Sequence, residues 1–391
     1  MTLSNSRIEH FFSLWLLFGL LLYVCGFFLA PSSKSQYLTL YIGLILPTLY
    51  FSFFHFRSYY LSNNRRLLWL LLVLVLLYLP SAWVATDVVD TLRKNLKGVL
   101  LVLSLALAVY HLSCRWPNIY QALPTLLLAS SITALALYFV ALSQSGQLPH
   151  GTPGLGNLAD NPNEAGLALS VGLLLLTVHL IKKPSAIGAL VVIPFLFAIY
   201  FAYSRSAMLA LAVALPFAVL FELGKSRLAC LWMLTVAFTG IIILLLMAGG
   251  MLNADRLLTH RPSLWMEFLD KNPGFHWLWG AGLSGSITIF SETLNQKLEP
   301  HSLYFALVLR GGLISLGLFI CLVIASVRQH GKKPSTGSIW LYILLFGLTA
   351  QCFEGVYPVR PPNSFWLYTW LPLLMLFLTC KPKSGRPDAA Q

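Results

Sequence analysis

Two arginines lie within the longest polar gap between the apolar runs of the chain, residues 252–300, and a histidine lies at its edge. Arg256 and Arg261 lie inside this gap, and His301 follows Pro300 where the next apolar run begins. A guanidinium group binds two phosphate oxygens at once and stabilises negative charge on a departing pyrophosphate without a metal. A neutral imidazole can take the proton of an attacking hydroxyl. These residue types predict group transfer from a lipid pyrophosphate to an alcohol.

A third arginine, Arg205, interrupts an otherwise apolar stretch within the sequence Ser204-Arg205-Ser206-Ala207. An arginine there is costly unless its side chain meets water, a partner or the membrane interface. It is either an interfacial anchor that snorkels, or a group held toward an anionic ligand where two broken spans meet. The small residues beside it allow close approach of the two backbones.

Three further residues are candidates for substrate binding. Arg310 lies nine residues beyond His301, about 13 Å along a helix, so it must face the bundle interior or a wet cavity. It either pairs with Glu354 or another acid, or it binds ligand. Asn163 and Glu164 stand at the start of another apolar run, where they either favour the helix terminus electrostatically or bind sugar hydroxyls.

The sequence contains no motif that indicates a bound metal or cofactor. The histidines 260, 276 and 301 lack metal-ligand spacing, and no H-E-x-x-H, phosphate-loop or Ser/Cys nucleophile motif occurs. The six cysteines form no C-x-x-C pair, so we expect them to fill packing space rather than to form disulfides. The sequence therefore predicts a reaction without metal or cofactor.

The composition is that of a polytopic membrane protein. The 391 residues are 58% hydrophobic and only 10% charged, with a mean hydropathy of +0.76, whereas soluble domains are about 25% charged. The net charge of +13 is better explained by basic cytoplasmic loops that fix the topology than by nucleic-acid binding.

Twelve apolar runs are long enough, or nearly so, to cross a bilayer, which needs about 20 residues. We therefore expect an all-α single membrane domain, residues 1–391, with about twelve transmembrane helices. The runs are 10–30, 37–56, 67–85, 98–113, 118–142, 163–181, 185–203, 205–223, 229–251, 301–327, 338–353 and 364–380.

The basic residues predict the orientation. With both termini in the cytoplasm, fifteen of the 26 Lys and Arg residues fall inside and ten outside, as the positive-inside rule expects. The segment 252–300, between spans 9 and 10, is then a large periplasmic loop of a bacterial inner-membrane protein. It should hold a helix that starts near Pro262, has Trp265, Phe268 and Leu269 on one face, and stops at Asn272. A second amphipathic stretch follows over residues 286–298. The amphipathic residues 86–97 are expected to lie along the membrane surface.

The chain resembles the O-antigen ligase family, within the larger group of O-antigen ligase and polymerase membrane proteins. The resemblance extends over most of the chain in its spans and its single late periplasmic loop. Its specific motifs are Ser204-Arg205-Ser206-Ala207, Arg261 with Leu264-Trp265, Trp279-Gly280-Ala281-Gly282, and Pro300-His301-Ser302-x-Tyr304 followed by Gly311-Gly312.

The resemblance implies an inverting GT-C-type membrane glycosyltransferase that needs neither metal nor ATP. It would transfer a glycan from undecaprenyl pyrophosphate to a sugar hydroxyl of lipid A–core during lipopolysaccharide biosynthesis. Its expected partners are these two substrates and membrane lipids, and no nucleic acid is expected. Arg205 and Arg261 match the arginines that contact pyrophosphate in the family, and His301 matches its proposed general base. Arg256 and Arg310 have no secure counterpart.

Two other functions remain open. An O-antigen polymerase or a protein O-oligosaccharyltransferase would share the fold, although the Arg-x10-Gly spacing frequent in polymerases is missing after Arg256 and Arg261. A transporter or flippase would also have about twelve spans. It would be expected to show internal repeats in matching halves, and we find no half-to-half similarity.

Overall fold

The computed structural model describes residues 3–55, 65–85, 87–145, 162–248, 261–271, 275–284, 289–291, 296–331, 338–355 and 364–378. Within these ranges the chain is almost entirely helical, with one short antiparallel hairpin. The α-helices, in chain order, are α1 (Leu3–Leu29), α2 (Ser33–Leu38), α3 (Leu46–Phe54), α4 (Arg66–Leu76), α5 (Val88–Arg115), α6 (Ile119–Ser145), α7 (Pro162–Lys182), α8 (Ala186–Phe201), α9 (Arg205–Glu222), α10 (Ser226–Ala248), α11 (Arg261–Asp270), α12 (Leu303–Gly331), α13 (Ser338–Ala350) and α14 (Leu371–Leu378).

Shorter elements extend or join these helices. A π-helical turn joins α2 to α3, a 3-10 turn follows α4, and a second π-helical turn leads into α14. The hairpin pairs Ile289 with Leu298 and Ser291 with Gln296. The bounds of these elements are Thr39–Ile45, Pro80–Trp83 and Trp366–Trp370 for the turns, and β1 (Ile289–Ser291) and β2 (Gln296–Leu298) for the strands.

Among the described residues, nine helical segments are long and apolar enough to cross a membrane. Three shorter apolar helices, Ala186–Phe201, Ser338–Ala350 and Trp366–Leu378, coincide with the remaining predicted runs. The structure therefore confirms an all-helical, multi-pass membrane protein. The total of twelve spans stays a prediction, because these three helices are shorter than the roughly 20 residues that a bilayer requires.

Helices approach one another closely where small residues face each other. Gly19 of α1 crosses the second span at Gly43, where a methyl group on Gly19 would stand 2.0 Å from the Gly43 carbonyl oxygen. Small residues at such crossings are typical of helix pairs in lipid, because van der Waals packing replaces the hydrophobic effect there. Helix α9 packs against α7, α10 and α13.

The predicted break between the seventh and eighth runs is confirmed. Helix α8 ends at Phe201 and α9 begins at Arg205. Tyr203 reverses the chain with a φ of 51°, and the Ser204 hydroxyl accepts a hydrogen bond from the Ala207 amide at 3.3 Å. The serine caps the first turn, so the helix starts at a fixed residue.

The predicted surface helix over residues 86–97 is wrong. Residues 88–97 form the first turns of α5, which runs without a break to Arg115 and is capped by Asp87 through the Asp90 amide. No strong breaker separates the amphipathic and apolar parts, since a single Gly98 is tolerated within a helix. At 28 residues the helix is about 42 Å long, more than the roughly 30 Å of the hydrocarbon core.

The large loop contains the helix expected after Pro262, now α11. In the second stretch, predicted as amphipathic over residues 286–298, residues 289–291 pair with residues 296–298 as the hairpin, and the sequence there begins with Ile287, Thr288 and Ile289. Branched side chains favour strands over helices, and this preference prevails here. The segment 281–284 is fastened to α5: the Lys94 amine donates to the Leu283 carbonyl at 3.0 Å, and the Leu283 amide donates to the Thr91 hydroxyl at 3.2 Å.

Helix α12 is interrupted at Gly312, whose φ of 69° and ψ of −170° are not helical. The loop residues before the hairpin fill the interruption. The Ala281 amide donates to the Leu309 carbonyl at 2.8 Å, and the Leu313 amide donates to the Trp277 carbonyl at 2.8 Å. The loop thus supplies the backbone hydrogen bonds that the helix loses, as irregular backbone at membrane depth requires.

One cysteine departs from expectation. Cys114, at the end of α5, is disulfide-bonded, whereas the described cysteines 25, 230, 321 and 352 are free thiols. Cys114 differs from the other five in sequence, because it adjoins Arg115 at a helix end rather than lying in or at the edge of an apolar run.

We expect Gly312→Ala to lower the stability of the folded protein by about 2 kcal/mol or more. The positive φ strains any side chain, and the new methyl group would lie 2.1 Å from the Leu278 carbonyl oxygen. Gly317→Ala in the same helix is the matched control, since its methyl group would meet nothing within 4 Å. Thermal unfolding in detergent measures both. Equal midpoints for the two variants would contradict this account of the helix interruption.

Candidate functional site

Helix α11 is held beside the entrance of α12 by its aromatic face. The Trp265 indole N–H donates to the Pro300 carbonyl at 2.7 Å, and its ring stacks on Phe305 at a centroid distance of 5.4 Å. Leu264 and Phe268 are buried with Leu309 of α12 in one small apolar cluster. The sequence pattern placed Trp265 and Phe268 on one face of this helix, and the Trp265 side chain contacts Pro300, the residue before His301.

His301 adopts an uncommon backbone conformation between Pro300 and the first turn of α12. Its φ is 47°, a region that residues other than glycine seldom occupy, and its side chain is 39% exposed. The Leu303 amide next to it donates to the carbonyls of Gln351 (3.0 Å) and Glu354 (3.2 Å). The turn after α13 thus holds the backbone two residues beyond this histidine.

A carboxylate connects His301 to the start of α9. The Glu354 Oε2 atom lies 3.9 Å from the His301 Nδ1 atom, and the Glu354 Oε1 atom accepts a hydrogen bond from the Ser206 hydroxyl at 3.4 Å. Ser206 and the capping Ser204 are themselves 3.1 Å apart, oxygen to oxygen. Residues separated by about one hundred positions in sequence therefore meet at one place.

Arg205 stands at this meeting point. It is the first residue of α9, its side chain is exposed, and Ser206 next to it bonds the carboxylate that faces His301. A helix N-terminus has a partial positive charge and free amide groups, which favour anions. An arginine at such a terminus adds a guanidinium fork suited to phosphate oxygens.

The start of α7 lies against the same turn. A methyl group on Gly166 would stand 2.9 Å from the Ser204 Cβ atom, so the backbones of α7 and the α8–α9 turn are in close contact. Glu164, half-buried in the first turn of α7, accepts a hydrogen bond from the Ser364 hydroxyl at 2.9 Å. Asn163 precedes it and is also half-buried. Both residues therefore lie near Arg205, with Glu164 tied to the last helical segment of the chain.

Arg310 lies elsewhere, at the interruption of α12. Its side chain is 2% exposed, and its guanidinium group donates to the Gly282 carbonyl at 3.3 Å. Backbone bonds join the same two segments, since the Gly282 amide donates to the Arg310 carbonyl at 3.0 Å. These contacts give Arg310 a place in fastening the large loop to α12, whereas Glu354, its expected partner, faces His301 instead.

Two predicted residues have no described side chain. Arg261 is the first residue of α11, and only its backbone is described. It precedes Trp265 by four residues, about 6 Å along the helix, so it belongs to the helix that contacts Pro300. Arg256 lies outside the described residues.

The sequence analysis did not predict the hydrogen bonds that Ser206 and Ser364 donate in the site, or that Glu354 lies beside His301. Only 13 acidic residues occur in the chain, so a carboxylate directly after an apolar run was the available signal. Its partner could not be read from the sequence, because His301 and Glu354 are 53 positions apart and no local pattern links them.

The described part of the chain contains no group of three or more His, Cys, Asp or Glu residues that could hold a metal ion. The Cys352 thiol, close to the site in sequence, donates to the Leu348 carbonyl at 3.8 Å. The chemistry available is that of arginine, histidine and carboxylate groups.

No protein-family model, no curated protein and no solved structure matches the chain.

We expect Arg310→Met to destabilise the fold by about 1–3 kcal/mol, because it leaves the buried Gly282 carbonyl without this donor. Arg205→Met should change stability by less than about 0.5 kcal/mol, since the Arg205 side chain is exposed. Thermal unfolding of the two purified variants makes the comparison. An Arg310→Met protein as stable as wild type would remove the structural role assigned to this arginine.

Proposed function

We propose that this multi-pass membrane protein is an O-antigen ligase of the GT-C type, an inverting glycosyltransferase that needs neither metal nor cofactor. Its donor is a glycan linked to undecaprenyl pyrophosphate, and its acceptor is a sugar hydroxyl of lipid A–core. The observation that supports this most is the connection of His301 to the start of α9 through Glu354 and Ser206. The two motifs of the resemblance that would hold base and pyrophosphate meet there.

The proposed reaction is a single displacement at the anomeric carbon of the donor. The acceptor hydroxyl attacks from the face opposite the pyrophosphate, and His301 takes its proton. The bond between the anomeric carbon and the pyrophosphate oxygen breaks, and its electron pair leaves with the pyrophosphate. Arg205 and Arg261 would stabilise the charge that develops on this leaving group. Inversion follows from attack on the opposite face.

The remaining candidates would serve binding rather than proton transfer. Asn163 and Glu164, at the start of α7 beside the Ser204 turn, offer amide and carboxylate groups to sugar hydroxyls. Arg256 belongs to the same polar stretch as Arg261 in sequence. Arg310, with its guanidinium on the Gly282 carbonyl, would act on substrate only indirectly, by holding the loop.

The proposed topology has twelve spans in one membrane domain, residues 1–391, in the bacterial inner membrane. Both termini are cytoplasmic, and residues 252–300 form a periplasmic loop above the site. The distribution of Lys and Arg supports this orientation. The Cys114 disulfide argues the other way, because this topology puts the end of α5 in the reducing cytoplasm.

Cysteine labelling tests the orientation. Lys271→Cys, after α11, should react with a membrane-impermeant maleimide in cells whose outer membrane alone is opened. Lys183→Cys, after α7, should react only once the inner membrane is also opened. Both lysines are exposed, so accessibility does not bias the comparison. The wild-type protein reports labelling of the native cysteines, and the reverse pattern would invert the proposed topology.

The function is tested by lipopolysaccharide banding from cells that lack this gene, complemented with wild type or a variant. Deletion should leave only short lipid A–core while undecaprenyl-linked polymer accumulates. His301→Ala and Arg261→Ala should insert normally yet fail to restore the ladder, with transfer reduced about 100-fold or more. Exposed residues of the same types supply the controls, His179→Ala and Arg227→Ala, which should restore it.

Each of the other outcomes would indicate a competing function or contradict part of the proposal. Core capped by a single repeat unit would indicate a polymerase. An unchanged ladder would indicate a protein glycosyltransferase, another glycan pathway or a transporter. A well-expressed His301→Ala variant with wild-type transfer would remove the assignment of the base, and loss of in vitro transfer in EDTA would remove the metal-independent mechanism.

A further inference from the structure

Glu354 lies in a turn that is fixed to the backbone beside His301. The turn follows α13, and the Glu354 carbonyl accepts a hydrogen bond from the Leu303 amide at 3.2 Å. Gly355 follows directly, with a φ of 99°, and lies against Leu303. The backbone of the carboxylate and that of the histidine are therefore held together, independently of any contact between their side chains.

The two oxygens of this carboxylate face different partners. Oε2 lies 3.9 Å from the His301 Nδ1 atom, and Oε1 accepts from the Ser206 hydroxyl. The side chain is only 16% exposed, so its rotation is limited by the surrounding protein. Because Nδ1 faces the carboxylate, a proton on Nδ1 puts the lone pair of the neutral ring on the other nitrogen, Nε2.

We propose that Glu354 is a positioning residue for His301, an inference that rests on the proposed function. The carboxylate holds the imidazole with its Nδ1–H toward Oε2, so that Nε2 accepts the proton of the acceptor hydroxyl. Its negative charge then stabilises the imidazolium that results. The 3.9 Å separation is an ion-pair distance, and catalytic hydrogen bonds commonly shorten when substrate is bound.

A purely structural role predicts different behaviour. An acid near the N-terminus of α9 is favoured by the helix dipole and would stabilise the fold whether or not His301 acts. Glu354→Gln separates the two roles, since the amide keeps the shape and can still accept from Ser206 but has no charge. Glu354→Asp keeps the charge on a shorter side chain.

Glu222, at the other end of α9, is a matched control. It is also a mostly buried carboxylate that accepts from a serine, with the Ser338 hydroxyl 2.6 Å from its Oε1 atom. It lies about 24 Å from Ser206 along the helix, at 1.5 Å per residue. Glu222→Gln therefore reports the loss of a buried charge on α9 without any contact to the site.

The experiment measures transfer from an undecaprenyl-pyrophosphate-linked glycan to lipid A–core by purified full-length protein. Glu354→Gln should lower kcat about 100-fold, with the KM for the donor within about twofold of wild type. Glu354→Asp should recover most of that loss, and Glu222→Gln should keep the wild-type kcat. In the His301→Ala background, Glu354→Gln should have no further effect, since its action passes through the histidine.

Two results would overturn the proposal. A double variant about 100-fold slower than His301→Ala would show that Glu354 acts independently of the histidine. A Glu354→Gln protein with lowered thermal stability and unchanged kcat would show a structural role only.

A second measurement keeps this inference apart from the proposed function. Nitrogen NMR of protein labelled at histidine, with His301 assigned by the signal absent from His301→Ala, reports which ring nitrogen bears the proton. Wild type should show the Nδ1–H form and Glu354→Gln a shift away from it. A wild-type protein that moves no glycan overturns the proposed function, and a His301 signal unchanged by Glu354→Gln overturns the positioning role whatever the reaction is.

Discussion

Backbone hydrogen bonding in lipid is the constraint on which the rest of this structure depends. The interruption of α12 at Gly312 would leave amide and carbonyl groups that hydrocarbon cannot satisfy. The segment 276–282 of the large loop satisfies them, with Ala281 and Gly282 donating to α12 and Leu313 donating back to the loop. These hydrogen bonds fix residues 277–282 of the loop to α12, and the adjoining loop residues are held near this helix as a result.

The candidate site is built from helix ends rather than helix faces. Arg205 starts α9, Glu164 starts α7, His301 precedes α12 and Glu354 follows α13. Helix ends are where a membrane protein can expose charged groups to water while the spans stay apolar. They also offer rigid backbones, so the short side-chain bonds of Ser206 and Glu354 are enough to link them.

The sequence allowed prediction of those features that depend on composition and local pattern. The spans, the break before Arg205 and the buried face of α11 follow from apolar runs, a serine cap and helical spacing. Features decided by contacts distant in sequence were not predicted. The pairing of His301 with Glu354 and the filling of the α12 interruption belong to this class. The hairpin and the continuous α5 were missed because local preferences competed, and branched residues prevailed in one case and helix continuity in the other.

The length of α5 has a consequence for how the protein sits in its bilayer. The helix exceeds the hydrocarbon core by about 12 Å, and its protruding turns hold Leu283 through Lys94 and Thr91. These turns therefore hold the loop at a fixed level along the helix axis. In a bilayer of different thickness, the headgroups would lie at a different level relative to these turns. Under the proposed function, bilayer thickness would then change how well a lipid-anchored pyrophosphate donor meets the loop.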